Sequence, residues 1–173
     1  DTFVIMALAG AAMFLTAGGK WRDVLGLVLA GVVLLAVLAF SRPYIMDRLT
    51  SFIDPSKDPQ GKSYQINQSL IAIGSGGIFG RGFGQSIQKF EHLPAAISDS
   101  IFAVYGEEFG FLGSAFLVLL FSAFALRGYK IATDAPDRFG MLLVVGLVTL
   151  IIAQTFLNIA SMLALVPLSG LPL

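Results

Sequence analysis

Four stretches without charge place the strongest limit on what this chain can fold into. No Asp, Glu, Lys or Arg occurs in residues 2–19, 24–41, 109–126 and 139–173. Each stretch is long enough to supply the roughly 17–25 apolar residues that a membrane-crossing helix needs. The sequence therefore predicts an all-α, polytopic membrane protein with four transmembrane helices, at about 3–18, 22–41, 99–127 and 138–165.

The composition excludes other classes of protein. Of the 173 residues, 56% are hydrophobic and 13% are charged, whereas a soluble domain carries about 25% charged residues. The net charge of zero gives no basic field for nucleic acid, which is not expected as a partner. The absence of cysteine excludes disulfides and cysteine-based metal sites. We expect a single membrane domain over 1–173, with no signal peptide, that is part of a longer protein.

The connections between the helices predict the topology. The two short loops, 18–23 and 127–138, hold 5 Lys or Arg in 18 residues, and the long connection between the second and third helices, 41–98, holds 6 in 58. Basic residues concentrate in cytoplasmic loops. The short loops are therefore predicted to be cytoplasmic and the long loop, 42–98, to be external.

The long loop carries a predicted short helix at 64–73. Its apolar residues Ile66, Leu70 and Ile73 are spaced i, i+4, i+7, the spacing of one helix face. At about 1.5 Å per residue, ten residues are too short to cross a bilayer. We expect a helix that does not span the membrane and that buries this apolar face.

A glycine run follows, with six glycines in the eleven residues 74–84. It does not fit a dinucleotide fingerprint, because Gln85 stands where a glycine is needed, and no Gly-Lys-Ser/Thr follows as in a P-loop. Two interpretations remain. Either the backbone packs closely against other backbone, which the composition favours, or its amides approach a phosphate or sugar beside Arg81 and Lys89.

Asp99 stands where the loop becomes the third membrane helix. A carboxylate is a favoured N-cap and suits the positive end of a helix. The same carboxylate, at the membrane surface, could act as the base for a substrate hydroxyl. Both roles are compatible.

Further polar residues fall inside the predicted membrane helices. Glu107 and Glu108 lie about 12 Å along the helix from Asp99, and we expect them to be structural, paired or hydrogen-bonded inside the bundle, with a proton relay as the alternative. On the last helix, Gln154, Asn158 and Ser161 form a polar stripe. This stripe either makes interhelical hydrogen bonds or lines a hydrophilic cavity.

Residues 64–113 resemble the FtsW/RodA/SpoVE family, also called the SEDS proteins. The resemblance lies in YQINQSLIAIGSGG, then QKFEHLP, then SDSIFAVYGEEFGFLG. Where the family usually has Glu, His and Phe around its aspartate, this chain has Ala95, Ile97 and Ser100, and the aspartate is kept as Asp99. The motifs are closer to the division and sporulation branch. By this template the chain corresponds to roughly the sixth to ninth transmembrane helices.

The resemblance implies a peptidoglycan glycosyltransferase that polymerises lipid II at the outer face of the bacterial cytoplasmic membrane. It implies a class B penicillin-binding protein and other division or elongation membrane proteins as partners. It specifies no certain cofactor, and a divalent cation, Mg²⁺ or Mn²⁺, could assist departure of the pyrophosphate. A lipid II flippase and a non-catalytic scaffold of the division machinery are the alternatives.

The resemblance also assigns roles to residues. Asp99 matches the family's base. The residues expected to bind substrate are Arg48, Gln68, Arg81, Lys89 and Ser98. The basic members of this set would stabilise the leaving pyrophosphate.

Overall fold

The computed structural model describes residues 2–41, 62–86 and 100–166. These residues form five helices: α1 (Thr2–Thr16), α2 (Trp21–Ser41), α3 (Lys62–Ser75), α4 (Ile101–Thr133) and α5 (Arg138–Met162). No strand occurs in these three ranges, and the predicted all-α membrane architecture is confirmed.

A helix occupies each of the four segments that were predicted to span. α4 and α5, with 33 and 25 residues, are long and apolar enough to cross a membrane, and α1 is a shorter apolar helix. α5 packs against α1 and α4, and α3 packs against α4. Part of the long loop, the helix α3, therefore packs against the helix bundle.

The loop between α4 and α5 is shorter than predicted. α4 continues to Thr133, so Arg127 and Lys130 lie in its last turns and the connection is only residues 134–137. Lys and Arg favour helix and are stabilised near its negative C-terminal end, and this explains the extension. Asp137 then caps α5 by accepting a hydrogen bond from the Gly140 amide at 2.7 Å. So short a connection makes α4 and α5 antiparallel neighbours.

α5 ends three residues before the predicted boundary at 165. The Leu165 amide donates to the Ala160 carbonyl and the Ala164 amide donates to the Ser161 carbonyl, while Ala164 has a φ of 57°. This is the Schellman pattern of helix termination, with alanine at the left-handed position where glycine is usual. The helix therefore ends through its own backbone bonds, before Pro167 is reached.

α3 confirms the predicted short helix, and Ile66 and Ile73 pack against the core as expected, but Leu70 is not part of the buried face. Ser69 and Ala72 have no exposed surface, whereas Leu70 is 39% exposed. Small side chains let the α3 backbone approach its neighbours closely, which larger ones would prevent, and Ser69 Oγ lies 3.3 Å from Met162 Sδ of α5. The core lies where α3, α4 and α5 meet. It contains Ala72, Phe102, Ala103, Val104, Ile159 and Met162.

Candidate functional site

α4 is interrupted at Gly110, nine residues after its start. Gly110 has a φ of 65° and a ψ of −162°, values that glycine adopts readily and other residues do not. In an unbroken helix, the amides of Phe111 and Leu112 would donate to the carbonyls of Glu107 and Glu108. The break removes both of these hydrogen bonds at a level where unpaired backbone groups are costly.

The glycine loop, residues 76–84, supplies replacements for both lost bonds. Two of its carbonyls accept hydrogen bonds from the amides that follow Gly110 in α4. Two of its amides donate to the carbonyls that precede Gly110. The four bonds are Phe111 N to Gly77 O (2.9 Å), Leu112 N to Ile78 O (3.1 Å), Arg81 N to Glu107 O (3.0 Å) and Gly82 N to Glu108 O (3.0 Å). Loop and helix break therefore form one hydrogen-bonded unit.

The glycines in this unit permit the close approach of the two backbones. A Cβ at Gly76 would overlap the Gly106 carbonyl oxygen, and a Cβ at Gly80 would overlap the Glu108 carbonyl oxygen. A Cβ at Gly110 would in turn overlap the Gly80 amide nitrogen. This is the close packing of backbone that the composition favoured. The Arg81 and Gly82 amides, bonded to α4, are not available to a phosphate.

Glu107 joins the residues that follow the glycine loop to α4. Its side chain is fully buried and accepts a hydrogen bond from Ser86 Oγ at 2.6 Å. The Arg81 guanidinium lies 3.6 Å from the other carboxylate oxygen. The expectation that Glu107 is paired inside the bundle is confirmed. Glu108 is 7% exposed, and its carbonyl takes part in the unit described above.

Arg81, predicted to bind substrate, is held in place from two directions. Besides Glu107, its Nε donates to the Ser75 carbonyl at 3.5 Å. Its side chain remains 38% exposed, so the guanidinium is oriented by the protein while still accessible. A guanidinium that is both oriented and accessible can bind an anionic ligand.

The start of α4 is joined to α3 by a side-chain hydrogen bond that the sequence did not predict. The N-cap position is Ser100, not Asp99, and its side chain makes no capping bond. Instead, Ser100 Oγ accepts from Gln65 Nε2 at 3.1 Å. Gln68, predicted to bind substrate, is half-buried on the same helix. The signal for Gln65 was available, since it belongs to the YQ motif beside Tyr64.

The polar stripe of α5 faces the bundle interior. Asn158 and Ser161 are each 1% exposed, and Gln154 is half-buried. A cavity of about 460 Å³ lies between α3, α4 and α5, but none of these three residues lines it. Its walls are apolar, with Ile73, Phe102, Phe111, Val118, Ile159 and Leu163 among them. It is therefore not the hydrophilic cavity that the stripe was considered to line.

Four of the predicted site residues lie outside the described residues: Arg48, Lys89, Ser98 and Asp99. Their roles stay predictions. Within the described ranges, no group of three His, Asp or Glu side chains is placed to hold a metal ion. The divalent cation likewise stays a prediction, without assigned ligands.

Comparisons with known proteins identify the group to which this architecture belongs. The family model described as "Cell cycle protein" (FtsW/RodA/SpoVE) matches residues 1–173. Stage V sporulation protein E of Bacillus subtilis is 41% identical over 172 residues, which cover 99% of this chain and 47% of that protein. The probable peptidoglycan glycosyltransferase FtsW of Alkalilimnicola ehrlichii is 45% identical, over 98% of this chain and 43% of that protein.

A solved structure has the same fold. A chain from a structure described as "Structural coordination of polymerization and crosslinking by a peptidoglycan synthase complex" matches with a TM-score of 0.74 and 24% identity, over 98% of this chain and 47% of that chain. The present chain thus spans somewhat less than half the length of these relatives. Because the family model matches it from end to end, the chain belongs to the FtsW/RodA/SpoVE family of membrane proteins.

Proposed function

We propose that this chain is part of a peptidoglycan glycosyltransferase that polymerises lipid II at the outer face of the bacterial cytoplasmic membrane. The observation that carries the proposal is the match of the whole chain to a family whose curated relatives include proteins named peptidoglycan glycosyltransferase FtsW. The proposal concerns the full-length protein, of which this chain is expected to supply the base and part of the substrate site.

The reaction requires a base and a stabilised leaving group. The acceptor sugar hydroxyl loses a proton as it attacks the anomeric carbon of the donor, and Asp99 would take that proton. The lipid pyrophosphate leaves with its negative charge, which Arg81, Arg48 and Lys89 would stabilise. Because pyrophosphate is a good leaving group, no second catalytic carboxylate is needed, in contrast to glycoside hydrolysis.

The geometry supports a surface reaction over transport. A flippase needs polar groups through the full depth of the bilayer, whereas an enzyme needs them at one level. Among the described residues, the buried polar side chains are Ser69, Ser86, Ser100, Glu107, Glu108, Thr155, Asn158 and Ser161. Since α4 and α5 are antiparallel, the start of α4 and the end of α5 lie at the same level, together with α3 and the glycine loop. The buried polar side chains of the described residues are therefore concentrated at that end.

The experiment that tests the proposal uses the purified full-length protein in two assays. Incubation with lipid II should yield glycan strands that are resolved by gel electrophoresis. Reconstitution into liposomes with a fluorescent lipid II analogue should show no movement between leaflets above that of protein-free liposomes. Movement of the analogue without strand formation would support the flippase and overturn the proposal.

The proposed partner is a class B penicillin-binding protein that crosslinks the new strands, together with other division or elongation membrane proteins. The support is the solved structure with the same fold, which belongs to a peptidoglycan synthase complex that coordinates polymerization and crosslinking. Co-purification of the full-length protein with such a transpeptidase, and faster strand formation in its presence, would test this.

The proposed orientation predicts a labelling pattern. Cysteine introduced at Lys57 should react with a membrane-impermeant maleimide added to intact cells, because 42–98 is predicted to be external. Cysteine introduced at Lys130, in the last turn of α4, should react only after the membrane is permeabilised. The reverse pattern would overturn the orientation.

The position of Glu107 predicts that its role is structural. Glu107→Gln removes the ion pair with Arg81 but keeps an oxygen that can accept from Ser86, so the expected loss is about 1 kcal/mol of stability, given that Arg81 is partly exposed. Thermal denaturation of the detergent-solubilised full-length protein should show the loss, while strand formation per folded molecule stays within about threefold of wild type, a small effect beside that of losing a positioned base. Abolished polymerisation in a well-folded Glu107→Gln protein would contradict the structural role.

A further inference from the structure

Three apolar side chains of the glycine loop project away from the protein. Ile78, Phe79 and Phe83 are 61%, 81% and 84% exposed. Side chains of this size are normally withdrawn from water unless something else covers them. In this loop they have no means of withdrawing, because the backbone that carries them is bonded to α4 on both sides of the break.

The glycines of the loop, with their unusual backbone conformation, account for the projection. Glycines at 80, 82 and 84 alternate with Phe79, Arg81 and Phe83. The glycine at 80 lies against the α4 backbone, where a Cβ has no room. The backbone here runs through turns at 76–79 and 83–84 and has positive φ at Gly80, Gly82 and Gly84. This path leaves Phe79 and Phe83 mostly exposed, while the Arg81 side chain turns back to Glu107.

These three side chains continue the exposed apolar surface of α4. The Ile78 carbonyl is bonded to the amide of Leu112, which is 53% exposed, and the ring of Phe83 lies 6.1 Å from that of Phe109. Further along, Phe111 and Phe116 are 69% and 62% exposed. α4 is long and apolar enough to cross a membrane, so lipid is the expected cover of this surface.

The loop also lies at a suitable depth. The charge-free stretch of α4, residues 109–126, is about 27 Å long at 1.5 Å per residue. This is close to the roughly 30 Å of a bilayer's hydrocarbon core. The loop joins α4 at the first turn of that stretch, and the charged pair Arg81–Glu107 lies just beyond it. Arginine at this level can reach lipid phosphates.

From these observations we propose that the tip of the glycine loop is a membrane anchor. Ile78, Phe79 and Phe83 are inserted among the acyl chains of the leaflet at the N-terminal end of α4. The anchor rests on the membrane location of the protein and is independent of the proposed enzymatic function. It would hold the unit of loop and helix break at a constant depth in the bilayer.

Depth measurement by electron paramagnetic resonance tests the anchor. Nitroxides attached to Phe79→Cys and Phe83→Cys, in the full-length protein with its other cysteines replaced, are measured in phosphatidylcholine–phosphatidylglycerol liposomes. Oxygen, which partitions into lipid, should increase the relaxation rate of both nitroxides several-fold more than a water-soluble nickel chelate does. Leu119→Cys, on the exposed face of α4, is the lipid control, and Asp134→Cys, between α4 and α5, is the water control.

Two outcomes would overturn the anchor. Labels at 79 and 83 that respond mainly to the nickel chelate, as at 134, would place the loop in water. Labels that respond to neither collider would show that protein, such as the remainder of the longer chain, covers the loop. Thermal midpoints within a few degrees of the parent protein would verify that each labelled variant is folded.

Discussion

Asp99→Asn is expected to lower the rate of glycan-strand formation by about 10²–10⁴, the usual effect of losing a positioned base. Asparagine has nearly the same shape as aspartate and caps helices about as well. Moreover, the N-cap position of α4 is Ser100. The substitution at position 99 is therefore not expected to destabilise the helix by removing its N-cap. The measurement is the initial rate of polymerisation of purified lipid II by the full-length protein.

A matched carboxyl-to-amide control is available in the same helix. Glu108→Gln makes the same chemical change at a buried position to which the mechanism assigns no role, and it should polymerise at a rate close to wild type. Equal thermal midpoints for wild type and Asp99→Asn would exclude a folding defect. If Asp99→Asn forms strands at a near wild-type rate, the base is another residue.

Gly76→Ala is expected to destabilise the protein by about 3 kcal/mol, the upper part of the usual range for an overpacked site. The added Cβ would overlap the Gly106 carbonyl oxygen, a backbone atom that has no rotamer with which to move aside. Relief would require α3 and the glycine loop to separate from α4, which weakens the bonds across the helix break. Thermal denaturation of the detergent-solubilised full-length protein measures the loss.

Gly74→Ala is the matched control, two residues earlier in the chain and within α3. Nothing lies within 4 Å of a Cβ at Gly74, and its φ is not positive, so the higher helix propensity of alanine should stabilise α3 by roughly 0.5–1 kcal/mol. The two substitutions are therefore expected to have opposite signs. A Gly76→Ala protein as stable as wild type would mean that the close backbone approach is not a feature of the folded protein.

Local patterns were enough to predict all five of the described helices. The charge-free stretches located α1, α2, α4 and α5, and the i, i+4, i+7 spacing located α3, because helix formation and burial in lipid depend on residues close together in sequence. The face of α3 was predicted wrongly at Leu70. Periodicity ranks residues by hydrophobicity, whereas packing against the bundle selected the small residues Ser69 and Ala72, with Ser69 against Met162 of α5.

The helix break was not predicted, although a signal existed. Gly110 is a glycine inside a helical pattern, which lowers the expectation of a continuous helix. What no local pattern contains is the partner, since the bonds that replace those lost at Gly110 come from residues about 30 positions earlier. They join backbone groups, which every residue has, so side-chain identity does not mark them.

The sequence by itself determined that this is an all-α membrane protein with Glu107 held inside it, because apolar length and the cost of an unpaired charge in lipid leave few alternatives. Only the tertiary structure decided which groups satisfy that charge, and that the glycine run completes a broken helix. These depend on the approach of distant segments to within hydrogen-bonding distance, and that approach is set by the packing of α3 on α4.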